Sequence, residues 1–324
     1  MIDLRQVYVR QLRGTPLGNA ARALWHLDWR RGVRLPKRTF QSIKAAADRK
    51  GAGLVPGARL TMQEIRAFTY RGNYVARYYW MRLKPAFRWM AESRETSNFT
   101  YDLTERNEGY LAECLSVVTG RPSAELAAYI GEIHADDVLR QAVIAQVAAH
   151  GRNGGYDPVA RFGRRVGWYA LVRALKPRVV VETGVEKGLG AMVLCAALLR
   201  NAAEGSPGRY CGTDIDPAAG LLLCEPYRSM GDILYGDSIE SLRTLTPPLD
   251  LFINDSDHSV EYEAREYRCI APKLSEHAII VGDNAHTNDE LLKFSRETGR
   301  RFLFFREEPA HHWYLGAGIG LSFK

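Results

Sequence analysis

Several common sequence signals are missing from this chain of 324 residues. No stretch approaches the roughly 18 consecutive apolar residues that a membrane-spanning helix needs. The first residues, Met-Ile-Asp-Leu-Arg, lack the charged-then-apolar order of a signal peptide, so we expect a cytoplasmic protein. The five cysteines form an odd set without C-x-x-C spacing, which favours reduced thiols over disulfides or a zinc site.

A net positive charge is absent from most of the chain, because the net charge of +7 comes from +9 in residues 1–50 and −2 in the rest. Residues 1–50 contain 12 Lys or Arg against three acids, with apolar residues at near-helical spacing before the basic run 30–38. We interpret this segment as a basic arm with an amphipathic helix. It could pack on its own protein, contact an anionic inner membrane peripherally or dock an acidic partner. Nucleic acid is not an expected partner, since no recognised reader motif accompanies the charge.

A helical pattern without a convincing strand covers residues 51–154. Pro85 is predicted to interrupt its first helix. Three more helices are predicted at residues 107–118, 123–133 and 136–149, the last with Asp136 as its N-cap. We expect a helical domain that serves as a lid over the acceptor or as a surface for homo-oligomerisation. The glycine cluster at 151–155 marks the predicted boundary with the next domain.

Predicted strands and helices alternate from residue 155 to residue 324. Short apolar runs predict strands at residues 179–181, 210–213, 233–235, 249–254 and 278–282. Such alternation is typical of the Rossmann-like, doubly wound α/β class, in which helices cover both faces of a mostly parallel sheet. The aromatic run 302–305 and the glycines of residues 316–320 predict a last antiparallel hairpin.

A glycine-rich turn follows the first of these strands. It runs from Glu182 and Thr183 through Gly184 to Gly188, and a predicted helix comes after it. Glycines at such a turn let backbone N–H groups approach a nucleotide-like ligand closely. The turn lacks the G-x-G-x-x-G spacing of a dinucleotide fold, so it is a weak signal by itself.

The next two strands also end in polar residues. The second strand is followed by Asp214, a carboxylate that could accept both hydroxyls of a ribose. The third strand ends in Gly236, Asp237 and Ser238, whose polar groups could meet an adenine. The three strand ends together predict a nucleoside-binding edge.

Two short acidic clusters close the fourth and fifth predicted strands. They are Asp255-Ser-Asp257-His258 and Asp283-Asn284, and their first members lie 28 residues apart. Neighbouring parallel strands would bring both clusters to the same edge of the sheet. Three oxygen ligands beside a histidine would suit a divalent cation such as Mg²⁺ with a titratable base next to it. If no ion is held, Asp255 and Asp283 could instead cap the helices that follow them.

The order of these motifs resembles that of the class I S-adenosylmethionine-dependent methyltransferases. The resemblance covers about residues 155–324 and implies a seven-stranded sheet with a last antiparallel strand. It also implies S-adenosylmethionine as the methyl donor. The donor would be bound by residues of the five strand ends: Glu182, Thr183, Gly184, Gly188, Asp214, Gly236, Asp237, Ser238 and Asp255.

The acidic clusters narrow the resemblance further. They look like those of the metal-dependent O-methyltransferases of the catechol and caffeoyl-CoA type, whose metal is held by two Asp and one Asn. The Asp255-x-x-His258 step is closer still to the macrocin O-methyltransferase kind and to methyltransferase family 24, which place a His where the catechol type places a Lys. By this resemblance Asp255, Asp283 and Asn284 become metal ligands and His258 the general base. Asp257 could replace Asp255 as a ligand.

The resulting prediction is a Mg²⁺-assisted O-methyltransferase. It would act on a hydroxyl of a small molecule or glycosyl group, with the metal orienting and acidifying that hydroxyl. Two alternatives stay open. One is a metal-independent methyltransferase acting on nitrogen or nucleic acid, against which the lack of an Asn-Pro-Pro-Tyr type motif counts. The other is a non-enzymatic module that only binds S-adenosylmethionine.

Overall fold

The structure is a computed structural model that describes residues 62–95, 97–150, 157–246 and 248–324, without the side chains of residues 62–69 and 82. The basic arm predicted at residues 1–50 lies outside the described residues, as does the whole glycine cluster 151–155. Within the described ranges, no helix combines the length and apolar composition that crossing a membrane requires.

Contacts along the chain define two compact units, Met1–Pro85 and Ala86–Lys324. The predicted domain limits at residues 50 and 154 stay a prediction. Helix α1 (Met62–Glu92) contains Pro85 in its interior, so the predicted interruption there is wrong. A proline removes one backbone hydrogen bond, and a long helix can continue beyond it with a local bend.

Three helices, α2 (Glu105–Thr119), α3 (Ser123–His134) and α4 (Asp137–His150), follow the first one. Their ends are set by local capping: the Thr104 side chain accepts a hydrogen bond from the N–H of Asn107, and Gly120 closes α2 with a φ of 68°. The Asp136 carboxylate accepts from the N–H of Leu139 at 2.9 Å, which confirms it as an N-cap.

Helix α5 (Arg165–Leu175) packs on α2, α3 and the helix that follows β1. The apolar pattern of the sequence predicts a helix over residues 159–175, so the predicted start is wrong by about six residues. A side chain at Gly163, whose φ is 51°, would lie 2.6 Å from the ring of Tyr101. The chain therefore turns tightly at Gly163 before the helix can begin, and this turn directs Arg164 toward the sheet.

Seven strands form one sheet in the order β3-β2-β1-β4-β5-β7-β6. They are β1 (Val179–Thr183), β2 (Arg209–Asp214), β3 (Gly231–Tyr235), β4 (Leu249–Asn254), β5 (Leu274–Gly282), β6 (Arg301–Phe305) and β7 (Ile319–Phe323). The first five strands are parallel, and β7 is antiparallel to both β5 and β6. The predicted Rossmann-like sheet with a last antiparallel strand is therefore confirmed.

Helices α6 (Leu189–Ala203), α7 (Ser238–Thr244), α8 (Val260–Ile270) and α9 (Glu290–Glu297) connect the strands. Helix α6 is almost entirely buried, which explains why its sequence is apolar all round. Two buried apolar clusters flank the sheet, one around Trp168 and Leu194 and one around Phe252 and Tyr267. Helices therefore cover both faces, and ligands can reach the sheet only from an edge.

Candidate active site at the carboxyl edge of the sheet

A row of backbone hydrogen bonds holds the five strand ends side by side. Gly236 donates to Asp214, Gly184 to Thr213, Asp255 to Thr183 and Asp283 to Asn254, all at 2.8–2.9 Å between nitrogen and oxygen. Each bond continues the ladder one residue beyond a parallel strand. The predicted neighbourhood of the two acidic clusters, at the ends of β4 and β5, is confirmed by this geometry.

The glycine turn is packed too closely for other side chains. Gly184 has a φ of 80°, and a Cβ there would lie 2.0 Å from the carbonyl oxygen of Asp255. Gly188 has a φ of 92° and faces the backbone of Gly220. The glycine turn after β1 therefore packs directly against the loop after β4, which carries the first acidic cluster.

Glu182 lies beneath this turn rather than on its surface. Its buried carboxylate accepts a hydrogen bond from Tyr210, and a Cβ at Gly190 would lie 2.1 Å from its Oε1. Burial raises the pKa of Glu182 to about 8. Thr183 is also buried, with its hydroxyl 3.4 Å from Glu266. Both side chains support the turn from within the protein.

The loops after β2 and β3 carry the polar groups predicted for a nucleoside. The Asp214 carboxylate accepts from the N–H groups of Glu186 at 2.7 Å and Asp216 at 2.8 Å, which ties it to the glycine turn. Gly236 has a φ of 136°. Asp237 caps α7 through the N–H of Glu240 at 3.1 Å. Its other oxygen accepts from the Tyr262 hydroxyl at 3.1 Å, and the buried Ser238 hydroxyl donates to Glu266.

The second half of the edge brings together Asp255, His258 and Asp283. One potential ligand atom from each lies within 4.8 Å of the other two. Asp257, by contrast, is exposed and accepts from the N–H of Ser259 at 2.8 Å, so the geometry favours Asp255 as the member of this group. Asn284 follows with a φ of 52°. Its amide nitrogen donates to Asp283 at 2.9 Å and to Nε2 of His258 at 3.1 Å.

Arg164 is the main functional residue that the sequence did not reveal. Its guanidinium is buried and donates from both Nε and Nη2 to the two carboxylate oxygens of Asp283. Its Nη1 donates to the Tyr101 hydroxyl at 2.8 Å and lies 3.5 Å from Glu307. A bidentate guanidinium–carboxylate pair fixes both position and orientation, so Arg164 sets where Asp283 lies.

Glu307 extends this network into the segment between β6 and β7. One of its carboxylate oxygens accepts from Tyr101 at 2.5 Å. The other accepts from the Tyr314 hydroxyl at 2.7 Å and from the N–H of Ala317 at 2.9 Å. Two buried acids, Asp283 and Glu307, therefore share one guanidinium.

The two aspartates differ in charge because Arg164 contacts only one of them. Burial raises the pKa of Asp283, but the Arg164 guanidinium outweighs this effect and holds that pKa below its usual value. Burial and the adjacent Asp283 charge hold the pKa of Asp255 well above its usual value. Among the described residues, no Lys or Arg forms an ion pair with the Asp255 carboxylate. Either a proton or a bound cation would compensate the negative charge of this carboxylate.

A second residue missed by the sequence, Glu263, orients His258. The carboxylate of Glu263 is buried on α8 and lies 3.3 Å from Nδ1 of His258. This hydrogen bond raises the pKa of His258, and partial burial of the ring opposes the rise. Since the Asn284 amide donates to Nε2, the neutral ring carries its proton on Nδ1 and keeps a lone pair on Nε2.

Several residues of this group border a cavity of about 340 Å³. Asp255, Asn284 and Arg164 line one part of it, and Arg165 and Glu186 line the part beside the glycine turn. Phe99, whose ring is 3.6 Å from Nζ of Lys187, borders the cavity from the segment before α2. A small molecule in this cavity would contact both the glycine turn and the acidic group.

Comparison with known proteins gives one family match. A family model described as a methyltransferase domain, methyltransferase family 24, matches residues 181–285. This segment contains every predicted site residue from Glu182 to Asn284. No curated protein matches the sequence at a significant level.

Solved structures of methyltransferases are similar over about half to two thirds of the chain. A methyltransferase from Geobacter sulfurreducens is 19% identical, with a TM-score of 0.40, and the match covers 57% of this chain and 89% of that one. The O-methyltransferase TomG from Streptomyces achromogenes, in complex with SAM, is 15% identical with a TM-score of 0.41, at 56% and 88% coverage. An O-methyltransferase from Bacillus cereus, in complex with SAH, is 14% identical with a TM-score of 0.41, at 68% and 99% coverage. Scores this low do not support transferring residue roles or substrates.

We predict that Arg164→Met strongly destabilises the protein. The substitution leaves Asp283 and Glu307 buried without their cation, which typically costs about 3–5 kcal/mol in the free energy of unfolding. Urea denaturation followed by circular dichroism measures the loss.

Arg106→Met is the matched control for this substitution. Arg106 also pairs with a carboxylate, Glu308 at 2.7 Å, but both side chains are exposed. We expect a much smaller loss, because solvent screens exposed ion pairs. Equal losses in the two variants would contradict the buried role of Arg164.

Proposed function

We propose that this chain, whose residues 181–285 match a methyltransferase-domain family, is a class I S-adenosylmethionine-dependent methyltransferase that methylates a hydroxyl of a small molecule or glycosyl group. The observation that carries the proposal is the grouping of Asp255, His258 and Asp283, because Asp255 of this group lines the same cavity as Glu186 of the glycine turn. Donor and acceptor can then meet over the ends of β1, β4 and β5.

The donor half of the proposal depends on the loops after β1, β2 and β3. Each Asp214 oxygen uses one lone pair on a backbone N–H, so each can still accept a ribose hydroxyl. Asp237 and Ser238 would lie near the adenine. Gly184 and Gly188 would allow the amino-acid part of the donor to approach the backbone closely.

The donor set of the acidic group fits a divalent cation. Asp255, Asp283 and Asn284 offer oxygen ligands, and Arg164 with three neighbouring acids leaves an excess of buried negative charge. Asn284 now presents its amide nitrogen to Asp283 and His258, so its oxygen would become a ligand only after the amide rotates. Mg²⁺ held there would orient the acceptor hydroxyl and lower its pKa.

His258 would take the proton from the acceptor hydroxyl. A sulfonium methyl group is already electrophilic, so catalysis consists mainly of placing the acceptor oxygen in line with it and deprotonating that oxygen. Glu263 holds Nδ1–H of His258, and Nε2, which accepts from the Asn284 amide, would become available to the acceptor hydroxyl once that amide rotates. Glu263 therefore acts as a positioning residue.

A metal-independent variant of the reaction has one observation in its favour. Arg164 already contacts both carboxylate oxygens of Asp283 and could serve as the permanent counter-ion of the site. In that case His258 alone would activate the acceptor. Sensitivity to a chelator distinguishes the two variants.

The proposed function is tested by donor binding and by product formation. Calorimetry is expected to detect S-adenosylmethionine binding to the wild type and a loss of about tenfold or more in Asp214→Ala, which removes both ribose acceptors. Formation of S-adenosylhomocysteine on a panel of catechols, sugars and glycosides is expected with Mg²⁺ and is expected to fall when EDTA is added.

Asp232→Ala is the control for donor binding, because Asp232 is exposed on the neighbouring strand β3 and, within the described part of the chain, pairs only with Arg209. Its affinity for the donor is expected to match the wild type. No binding of S-adenosylmethionine by the wild type would rule out the proposed function. Turnover that EDTA leaves unchanged would remove the metal from it and support the variant based on Arg164.

We predict that Glu263→Gln lowers kcat by about 10- to 100-fold without changing KM for S-adenosylmethionine, because the histidine loses its orienting carboxylate while the donor site is untouched. Steady-state kinetics on an accepted substrate measures both constants.

A double variant separates positioning from a general structural effect. If Glu263 acts only through His258, adding Glu263→Gln to His258→Gln costs no further activity. Independent, multiplicative losses would mean that Glu263 does not act through the histidine.

A further inference from the structure

Arg165 presents an unpaired cation to the candidate site. It is the first residue of α5, it is half-buried and it lines the 340 Å³ cavity. Among the residues that the structure describes, its guanidinium has no hydrogen-bond or ion-pair partner, and its Nε is shielded from solvent. A shielded donor without a partner is costly, so this guanidinium is arranged to receive an acceptor from a ligand.

Its neighbour Arg164 differs in this respect. Arg164 uses its donors on Asp283, Tyr101 and Glu307 inside the protein. Arg165 instead rests against the ring of Trp168, with its guanidinium carbon 5.5 Å from the ring centroid. Stacking of this kind fixes the plane of a guanidinium while leaving its N–H edge available.

Trp168 places Arg165 beside the glycine turn. A Cβ at Gly190, the second residue of α6, would lie 2.8 Å from the Trp168 ring. The positive charge of Arg165 also acts on Glu182, Glu186 and Asp255, none of which forms an ion pair with it. Arg165 therefore faces the part of the cavity over β1 and β4.

The order of the strand ends indicates which part of the donor would lie near Arg165. The candidate nucleoside residues Asp214 and Asp237 lie at the ends of β2 and β3, and the acceptor group lies at β4 and β5. A donor with its adenosine over β2 and β3 and its sulfonium over β1 extends its amino-acid end toward α5. That end carries a carboxylate, the group that a guanidinium binds best.

We propose that Arg165 binds the carboxylate of the methionine half of the methyl donor. The inference rests on the proposed function, because it assumes that S-adenosylmethionine occupies the cavity. The same guanidinium could in principle receive a carboxylate of the acceptor, and the experiment separates these two sources.

The test compares S-adenosylmethionine with decarboxylated S-adenosylmethionine, which has the same adenosine, sulfonium and amine. Calorimetry on the wild type is expected to give about 10- to 100-fold tighter binding of the carboxylated ligand. In Arg165→Met this preference is expected to disappear, while affinity for the decarboxylated ligand changes less than about threefold. Methionine keeps an apolar contact with Trp168, so the variant is expected to fold.

Two further variants complete the design. Arg161→Met removes a nearby exposed arginine that pairs with Asp102 at 3.3 Å, and it is expected to keep the full preference for the carboxylated ligand. Arg165→Lys keeps the charge but loses the planar fork, and it is expected to keep part of the preference. This variant also serves as the test if Arg165→Met does not fold.

The results that overturn the inference differ from those that overturn the proposed function. Undiminished preference in Arg165→Met contradicts the inference while donor binding still stands. Unchanged donor binding in Arg165→Met, together with a raised KM for an acidic acceptor, also contradicts the inference. That result would mean that Arg165 binds the acceptor. No binding of S-adenosylmethionine by the wild type overturns the proposed function, and the inference with it.

Discussion

The buried ion pair between Arg164 and Asp283 is the interaction on which the candidate site depends. Asp283 directly follows β5, and Arg164 lies in the turn before α5, 119 positions earlier in the chain. Through Tyr101 and Glu307 the same guanidinium also holds the segment before α2 and the segment between β6 and β7. Four stretches of chain that border the cavity are thus attached to one side chain. A guanidinium suits this role because its rigid fork can satisfy several acceptors at once.

The charge balance around this pair explains what the site can do. One guanidinium binds Asp283 and approaches Glu307, whereas no Lys or Arg among the described residues forms an ion pair with Asp255. Burial and the neighbouring Asp283 charge hold the pKa of Asp255 well above its usual value, and a proton or a cation at Asp255 would relieve this repulsion. In the proposed function, a divalent metal at the end of β4 would supply this positive charge. His258, oriented by Glu263, is the proposed base for the acceptor hydroxyl.

The fold and part of the site could be predicted from the sequence because both depend on local patterns. Each of β1, β2, β4 and β5 is an apolar run that ends in a polar residue, and parallel strands bring such ends to one edge. This is why Asp255 and Asp283 could be expected to be neighbours. The roles of the individual donor and metal residues stay predictions, because they depend on ligands.

The remainder of the site depends on contacts between distant residues, which leave no local pattern. In the sequence, Arg164 is one of many basic residues. Glu263 occupies a position of an amphipathic helix that the sequence alone would assign to solvent. The late start of α5 depends on the Tyr101 ring against Gly163, two residues 62 positions apart. The interruption that the sequence predicts at Pro85 does not occur, because the helix continues through it. Only an alignment or a structure could have paired these residues.

The central claim is that Asp255 and Asp283, with Asn284, hold one divalent cation beside His258. Titration of the protein with Mn²⁺, followed by electron paramagnetic resonance, tests it most directly. Asp257→Asn is the matched control for Asp255→Asn, because Asp257 is exposed and turned toward Ser259. The account predicts one bound Mn²⁺ in the wild type and in Asp257→Asn, and none in Asp255→Asn. Equal binding in all three proteins, or no binding in the wild type, would contradict it.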